Sequence, residues 1–179
     1  GMAILLTGGT KGLGFAIAKA FAEPGSHVFP NYPSDGEAAA RAKTEIEVKG
    51  AICHLVNADC GTTEGCAAIA DAVRGHAGRL DQVVHCAVDA FACSLLTADP
   101  ARFSRAVTTN GTSLMFLVQA VLDLLQRGST IFFLTSRGGI KVLDFGIAKF
   151  QHDTATSEQA RVAVGTQAYM SPEQARGET

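Results

Sequence analysis

The sequence predicts an α/β fold built on a doubly wound parallel sheet, and three observations support this. Short apolar runs of strand length alternate along the chain with longer segments of helical period. The opening segment, Ala3–Phe21, predicts a buried strand, a glycine-rich loop and a helix in immediate succession. The length of 179 residues, of which 47% are hydrophobic, is enough to bury the core of one such domain.

The glycine-rich loop, Thr7–Gly14, has the pattern T-G-x-x-x-G-x-G. Because glycine lacks Cβ, Gly8 can form a tight turn, Gly12 can let the backbone approach a ligand, and Gly14 can let the helix pack close to the strand. Unpaired amide groups at the helix start, together with the positive end of its dipole, predict a pyrophosphate site. The alternative is a glycine-rich turn that only joins a strand to a helix.

Local signals bound the elements in the first half of the chain. Pro30 lacks the amide that an internal strand needs, so the second strand is expected to stop near it. Ser34 and Glu37 have the spacing of a capping box, which opens a helix that Gly50 stops. The predicted strands are Ala3–Leu6, His27–Asn31, Ala51–Val56, Gln82–Ala87 and Ser129–Leu134.

The helices are bounded by similar signals. Asp99 is an N-cap, and Pro100 suits the first turn of a long apolar helix. Arg127-Gly128 is expected to end that helix, directly before the last strand. The predicted helices are Leu13–Phe21, residues 34–49, Thr63–His76 and the segment between Pro100 and Arg127.

Composition excludes several classes of protein. The net charge of -2 and the lack of a basic run argue against binding nucleic acid or a membrane surface. No apolar run reaches the roughly 18 residues of a membrane span, and no signal peptide is evident, so a cytoplasmic protein is expected. An odd number of cysteines without C-x-x-C predicts buried thiols, with no disulfide framework and no metal site. These cysteines are Cys53, Cys60, Cys66, Cys86 and Cys93.

The spacing of Gly8, Gly12 and Gly14, with a strand before and a helix after, resembles the short-chain dehydrogenase/reductase family. The resemblance covers residues 2–139. It implies a Rossmann-like NAD(P)-binding domain over residues 1–139 and an oxidoreductase that transfers hydride to a carbonyl or enoyl group. Asn31-Tyr32 is similar to the carrier-protein reductases, which implies a small-molecule or acyl-carrier thioester substrate.

The resemblance also implies which residues contact the cofactor. Asp59 corresponds to a residue that contacts the adenine ring, although it fits a turn or cap equally well. Ala87 is the only match to the Asn-Asn-Ala-Gly that usually closes the fourth strand. The implied cofactor-binding residues are Gly8, Thr10, Lys11, Gly12, Leu13, Gly14, Asn31, Asp59, Cys60 and Ala87.

The end of the second strand bears on the choice of cofactor. An acidic side chain there holds the ribose 2′-OH of NAD and repels the 2′-phosphate of NADP. This chain has Asn31, Tyr32 and Ser34 instead, with the cation of Lys11 on the nearby loop. NADP(H) is therefore favoured over NAD(H). A solvated loop lysine is the alternative interpretation of Lys11.

Two catalytic residues are implied by the resemblance. Ser136 occupies the place of the catalytic serine, whose hydroxyl holds the substrate carbonyl oxygen, although a turn serine also fits. Asn110 corresponds to the helix asparagine that helps to hold a proton-relay water, with a surface or kink residue as the alternative. His85 and Cys86 are not expected to act as a base and nucleophile, because neighbours on a strand point to opposite faces.

The family's Tyr-x-x-x-Lys pair is absent. The lysine of that pair lowers the pKa of the tyrosine, which then exchanges the proton. This chain has only Tyr32 and Tyr169, and Glu173 stands four residues after Tyr169. Cofactor binding with impaired catalysis is therefore expected.

Residues 140–179 follow another pattern. Lys141–Lys149 and Gly165–Glu173 resemble the activation segment of a bacterial Ser/Thr protein kinase. The V-A-I-K lysine and H-R-D loop of a kinase are missing, so this segment is interpreted as a tail joined to a reductase truncated after its fifth strand, not as an independent domain. The alternative function is a non-catalytic chimeric or binding module whose tail is a phosphoacceptor or docking segment.

The splice has two structural consequences. Lys141–Phe145 is a candidate strand that could pair antiparallel with the fifth strand, because the few intervening residues leave no room for a parallel crossover. The family's dimer contact uses the long helix together with a helix that this chain lacks. A homo-oligomer is therefore implied only with an incomplete interface, and exposed apolar surface is expected.

Overall fold

A computed structural model describes residues 1–90, 94 and 96–134, together with the backbone of Ile140–Leu143. A π-helical turn, Thr108–Thr112, and a 3₁₀ turn, Leu122–Leu124, flank the last helix. The strands are β1 (Ala3–Thr7), β2 (His27–Tyr32), β3 (Ile52–Cys53), β4 (Val56–Asn57), β5 (Leu80–His85), β6 (Leu125–Leu134) and β7 (Ile140–Leu143). The helices are α1 (Gly12–Phe21), α2 (Gly36–Glu47), α3 (Thr63–His76), α4 (Pro100–Val107) and α5 (Ser113–Val121).

The sheet has the order β3-β2-β1-β5-β6-β7, with β4 beside β2 after β3 ends. All pairs from β3 to β6 are parallel. Helices α1 and α2 pack on one face, and α3 and α5 pack on the other. The predicted doubly wound parallel sheet, flanked by helices, is confirmed.

A row of apolar residues crosses the middle of the sheet. Phe29, Leu5, Val83 and Ile131 lie in register on four neighbouring strands, and each is at most 2% exposed. They pack against α3 and α5, whereas the alternating residues of β1 pack against α1 and α2. β1 is therefore buried on both faces, as its unbroken apolar run predicts.

β2 passes through Pro30 and ends at Tyr32, one residue beyond the predicted end at Asn31. The backbone carbonyls of Val28 and Tyr32 accept hydrogen bonds from the amides of His54 and Ala58. The backbone N–H and C=O groups of even-numbered β2 residues therefore point toward β3 and β4. The backbone nitrogen of Pro30 lies opposite the gap between those two strands. Its missing amide therefore removes no hydrogen bond from the sheet.

The capping of α2 also differs from the prediction. Asp35, and not Ser34, is the N-cap, and its carboxylate accepts a hydrogen bond from the Ala38 amide at 2.9 Å. At the start of α4, Asp99 caps the helix through the Arg102 amide, as predicted. The bounds of α3 also agree with the prediction.

The last helical segment ends earlier than expected. Helical structure stops at Leu124, and β6 begins at Leu125, so Arg127-Gly128 lies inside a strand. Leu80 pairs with Leu125 whereas Gln82 pairs with Thr130, which makes β6 bulge. Gly128 adopts a φ of 93° within this bulge.

β7 pairs antiparallel with β6, with Leu134 opposite Ile140 and Ile131 opposite Leu143. This confirms the predicted hairpin. Gly139, on one side of the proposed boundary at residues 139–140, and the kinase-like segment after Leu143 lie outside the described residues.

Apolar side chains are exposed along α4, α5 and the following turn. Phe103, Val107, Met115 and Leu122 are each about half exposed, at 47 to 52%. The expected apolar surface is therefore present on this segment. Oligomerisation stays a prediction.

The cysteines agree in part with the expectation of buried thiols, because Cys86 is only half-buried. Cys53, Cys60 and Cys66 are buried free thiols, while Cys93 lies outside the described residues. Across the described part of the chain, no cluster of histidine, cysteine or acidic side chains is arranged to hold a metal. None of the helices in that part is long and apolar enough to span a bilayer.

Candidate functional site

Two adjoining cavities open at the carboxyl ends of β1 and β5, where the chain passes from one half of the sheet to the other. The larger is about 740 Å³ and the smaller about 300 Å³. Gly8, Ala87 and Val88 line both. The larger is lined further by Lys11, Gly12, Leu13, Gly14, Cys86, Asn110, Phe133 and Leu134.

The glycine loop forms one wall of the larger cavity, and its geometry demands glycine. Gly8 adopts a φ of 61°, in the left-handed region. A Cβ on Gly14 would lie 2.1 Å from the carbonyl oxygen of Gly8, so no larger residue fits between α1 and the loop. Lys11 is the N-cap of α1 but forms no side-chain hydrogen bond to the helix amides. The first amides of α1 therefore face the cavity without a capping side chain, which suits an anionic ligand.

Three further predicted cofactor-binding residues line the smaller cavity, among them Asp59, which is predicted to contact the adenine. Asn31, Asp59 and Cys60 line it, whereas the buried Thr10 lines neither cavity. Asn31 uses both amide hydrogens on the carbonyls of Val56 and Ala58, at 3.0 and 2.8 Å, so its side chain ties β2 to the neighbouring strand.

Asp59 has the turn geometry that was its alternative interpretation. Its carboxylate accepts a hydrogen bond from the Gly61 amide at 2.8 Å, and its carbonyl accepts one from the Thr62 hydroxyl at 3.0 Å. Because it also lines the smaller cavity, Asp59 combines a local turn with a place at the predicted adenine site.

Lys11 forms an ion pair with Asp35. The hydrogen bond from Lys11 is the main reason that the pKa of Asp35 lies below its usual value. The sequence showed no acid at the end of β2, but Asp35 follows that end by three residues and reaches the same place. Sequence reasoning missed this partner because the pairing depends on how α2 turns back toward the loop.

Asn110 lies in the π-helical turn and forms two hydrogen bonds to the backbone that follows β5. Its side-chain oxygen accepts from the Asp89 amide at 2.7 Å, and its side-chain nitrogen donates to the Asp89 carbonyl at 2.9 Å. The Asp89 carboxylate receives two hydrogen bonds from Arg102 on α4. Asn110 therefore lines the cavity and also fixes the position of its wall.

A buried polar group behind that wall was not anticipated. The His85 ring is 1% exposed, and its nitrogens lie 2.5 Å from Thr7 Oγ1 and 2.8 Å from Ser113 Oγ. Burial lowers the pKa of His85 to about 4. Cys86 points to the opposite face and lines the cavity, which confirms that the two do not form a base and nucleophile pair. Ser136 lies outside the described residues.

Known proteins resemble this chain in sequence and in structure. The family model described as Enoyl-(Acyl carrier protein) reductase matches residues 8–161. 1-Cyclohexenylcarbonyl-CoA reductase of Streptomyces collinus is 30% identical over 137 residues, which are 76% of this chain and 49% of that protein. The Pseudomonas aeruginosa RhlG/NADP active-site complex is 30% identical with a TM-score of 0.64, over 72% of this chain and 49% of that one. NADH-dependent reductase A1-R′ complexed with NAD is 26% identical with a TM-score of 0.63, over 69% and 52%.

The chain spans about half the length of these relatives. The family match covers most of the chain from Gly8 onward and includes the three glycines of the loop, the parallel strands from β2 to β6 and the residues that line both cavities. The chain therefore belongs to the short-chain dehydrogenase/reductase family of oxidoreductases.

Proposed function

We propose that this chain binds a nicotinamide dinucleotide, NADP(H) in preference to NAD(H), in the two cavities that meet at Gly8. The observation that carries the proposal is the set of uncapped amides at the start of α1, which open into the larger cavity. Gly14 supports it, because a single added Cβ would collide with the loop that would hold the phosphates.

The two cavities suit the two halves of such a ligand. The phosphates would lie against the loop from Gly8 to Gly14, and the adenosine would enter the smaller cavity beside Asp59. The nicotinamide would then lie in the larger cavity near Asn110 and Phe133. When bound, this cofactor would supply or accept hydride.

The preference for NADP(H) rests on Lys11. Its amino group lies on the loop and is held by Asp35, so a 2′-phosphate would compete with that carboxylate for the same cation. Both side chains are partly exposed, at 61% and 40%, which makes exchange of partners inexpensive. A ribose 2′-OH carries no charge and gains little from Lys11.

Fluorescence titration with NADPH and NADH tests both parts of the proposal. We expect the full chain to bind NADPH more tightly than NADH. Lys11→Gln should bind the two cofactors with equal affinity, and Asp35→Asn should strengthen NADPH binding by about threefold. Glu45→Gln, which breaks the exposed Lys19–Glu45 pair farther along α1, is the matched control and should change neither affinity. Tighter binding of NADH would refute the preference, and binding of neither dinucleotide would refute the function.

We propose further that the parent activity is hydride transfer to a carbonyl or enoyl group of a small molecule or an acyl thioester. The description of the matched family and the name of the Streptomyces collinus relative support thioester substrates. No tyrosine in the 179 residues is followed four positions later by lysine, so the usual proton donor is missing.

Turnover by this chain is therefore expected to be impaired. Incubation of the chain and NADPH with acetoacetyl-CoA or crotonyl-CoA should leave the nicotinamide absorbance unchanged over a period in which NADPH binding is saturated. Steady oxidation of NADPH would show that another group supplies the proton.

A further inference from the structure

The wall that the two cavities share is held at both ends by side chains. At one end, the Thr7 hydroxyl accepts hydrogen bonds from the amides of Cys86 and Ala87, both at 3.1 Å. At the other end, Asn110 holds the amide and carbonyl of Asp89. Ala87 and Val88, which line both cavities, lie between these two contacts.

His85 connects the two ends behind the wall. Its Nδ1 lies 2.5 Å from Thr7 Oγ1, and its Nε2 lies 2.8 Å from Ser113 Oγ. Ser113 in turn donates to the carbonyl of Thr109 at 2.6 Å, inside the π-helical turn that carries Asn110. A continuous chain of hydrogen bonds therefore runs from the start of the glycine loop to the turn that lines the larger cavity.

The direction of each hydrogen bond follows from counting donors and acceptors. The single hydroxyl hydrogen of Ser113 goes to Thr109, so Ser113 must accept from His85 Nε2. Both lone pairs of Thr7 Oγ1 receive backbone amides, so its hydrogen is available only to His85 Nδ1. All of these groups are satisfied together only when His85 is neutral with its proton on Nε2.

The surroundings of the ring favour that form. Among the residues that the structure describes, Thr7 from β1, Ser113 from α5 and Phe133 from β6 contact it, and none of these three carries a charge; the Phe133 ring centroid lies 5.6 Å away. Burial lowers the pKa of His85 to about 4, so the ring is neutral at pH 7. A protonated ring would direct a second N–H at Thr7 Oγ1, which has no lone pair left.

We propose that His85, as its neutral Nε2–H tautomer, is a positioning residue that locks the shared wall Ala87–Val88 to the glycine loop and to the π-helical turn. His85 lines neither cavity and acts through Thr7 and Ser113. The inference rests on the proposed function, because the wall that it positions belongs to the proposed dinucleotide site.

The first test needs no ligand. Long-range ¹H–¹⁵N spectra of the full chain at pH 7 should show His85 with a protonated Nε2 and an unprotonated Nδ1, assigned by the loss of these signals in His85→Phe. A proton on Nδ1, or a charged ring, would overturn the inference whatever the chain binds.

The second test compares NADPH binding among variants that are folded by circular dichroism. His85→Phe keeps a ring beside Phe133 but has no nitrogen, and we expect its dissociation constant to rise about tenfold. Val73→Ala, on the buried face of α3, is the matched control for lost stability and should stay within about twofold. Ser113→Ala removes the Nε2 acceptor alone, and we expect it to raise the dissociation constant by about threefold, which tests the proposal if His85→Phe does not fold.

The outcomes separate the two proposals. If the variants bind NADPH as tightly as the unchanged chain, the positioning role is wrong while the proposed function stands. If the unchanged chain binds neither NADPH nor NADH, the proposed function is wrong, and the nitrogen spectra decide the tautomer of His85 on their own.

Discussion

The pH dependence of stability offers a quantitative test of how His85 is buried. Burial lowers its pKa to about 4, whereas an unfolded histidine titrates near 6.5. Between these values the unfolded chain binds more protons than the folded chain, so the free energy of unfolding falls as the pH is lowered. From about pH 7 to about pH 4.5, this linkage removes about 2 kcal/mol of stability.

The measurement is urea unfolding of the full chain and of His85→Asn at several pH values in that window. Asparagine has an accepting oxygen and a donating nitrogen but does not titrate, so the variant should lose about 2 kcal/mol less than the unchanged chain. Equal losses in the two proteins would refute the neutral, buried ring.

The contribution of the other titrating groups cancels in this comparison, because both proteins contain them. Burial, with smaller contributions from His76 and His27, lowers the pKa of His54 to about 4, so it adds a slope of the same sign to both proteins. The pKa values of Asp35, Asp89 and Asp123 are lowered by their hydrogen bonds to lysine or arginine. These carboxylates stabilise the fold at pH values above the pKa that they have in the unfolded chain. That contribution is lost only below about pH 4.5, outside the measured pH range.

Two further substitutions test the site geometry. Gly14→Ala places a Cβ 2.1 Å from the Gly8 carbonyl oxygen and should lower the free energy of unfolding by more than about 2 kcal/mol, whereas Gly75→Ala, in open space on α3, should raise it by about 0.5 to 1 kcal/mol. Urea unfolding measures both, and a Gly14→Ala chain of normal stability would contradict the loop geometry. Asp89→Asn breaks the two-pronged pair with Arg102, in which the two side chains are 22% and 27% exposed, and should lower the midpoint of thermal unfolding. The matched change Asp71→Asn, at a 76% exposed carboxylate beside Arg74, should lower that midpoint less, and equal shifts would contradict the role given to Asp89.

The sequence was sufficient for the features that depend on local pattern. The glycine spacing located the loop between β1 and α1, and the apolar run of β1 predicted burial on both faces. The Asp99-Pro100 signal located the start of α4. For the loop and for the start of α4, the deciding interaction lies within a few residues of the signal.

The ends of β2 and of the last helical segment were predicted at the wrong residue because each is decided by contacts with a neighbouring strand. Pro30 is tolerated because the neighbouring strand breaks opposite it, and nothing within β2 itself reveals that break. Gly128 looked like a helix stop because a positive φ also ends helices, but here it serves a bulge held by Ser129, whose hydroxyl donates to the Leu80 carbonyl at 2.6 Å.

The unanticipated parts of the site depend on distant pairings. His85 stands where the family usually has asparagine. This difference was the signal in the sequence that another polar side chain lies behind the wall Ala87–Val88. Its actual partners, Thr7 and Ser113, are 78 and 28 positions away. The pairing of Lys11 with Asp35 likewise needs the position of α2 relative to the loop.

The pairing of β1 with β5 also bears on how the molecule assembles. The hairpin of β6 and β7 closes a short loop at small entropic cost, whereas aligning Thr7 with His85 closes a loop of 78 positions. The cavities exist only after that long-range closure, so a molecule bound there favours the completely folded chain over every partly assembled form. Cofactor concentration would then govern the lifetime of the whole domain against proteolysis, and not merely the occupancy of one pocket.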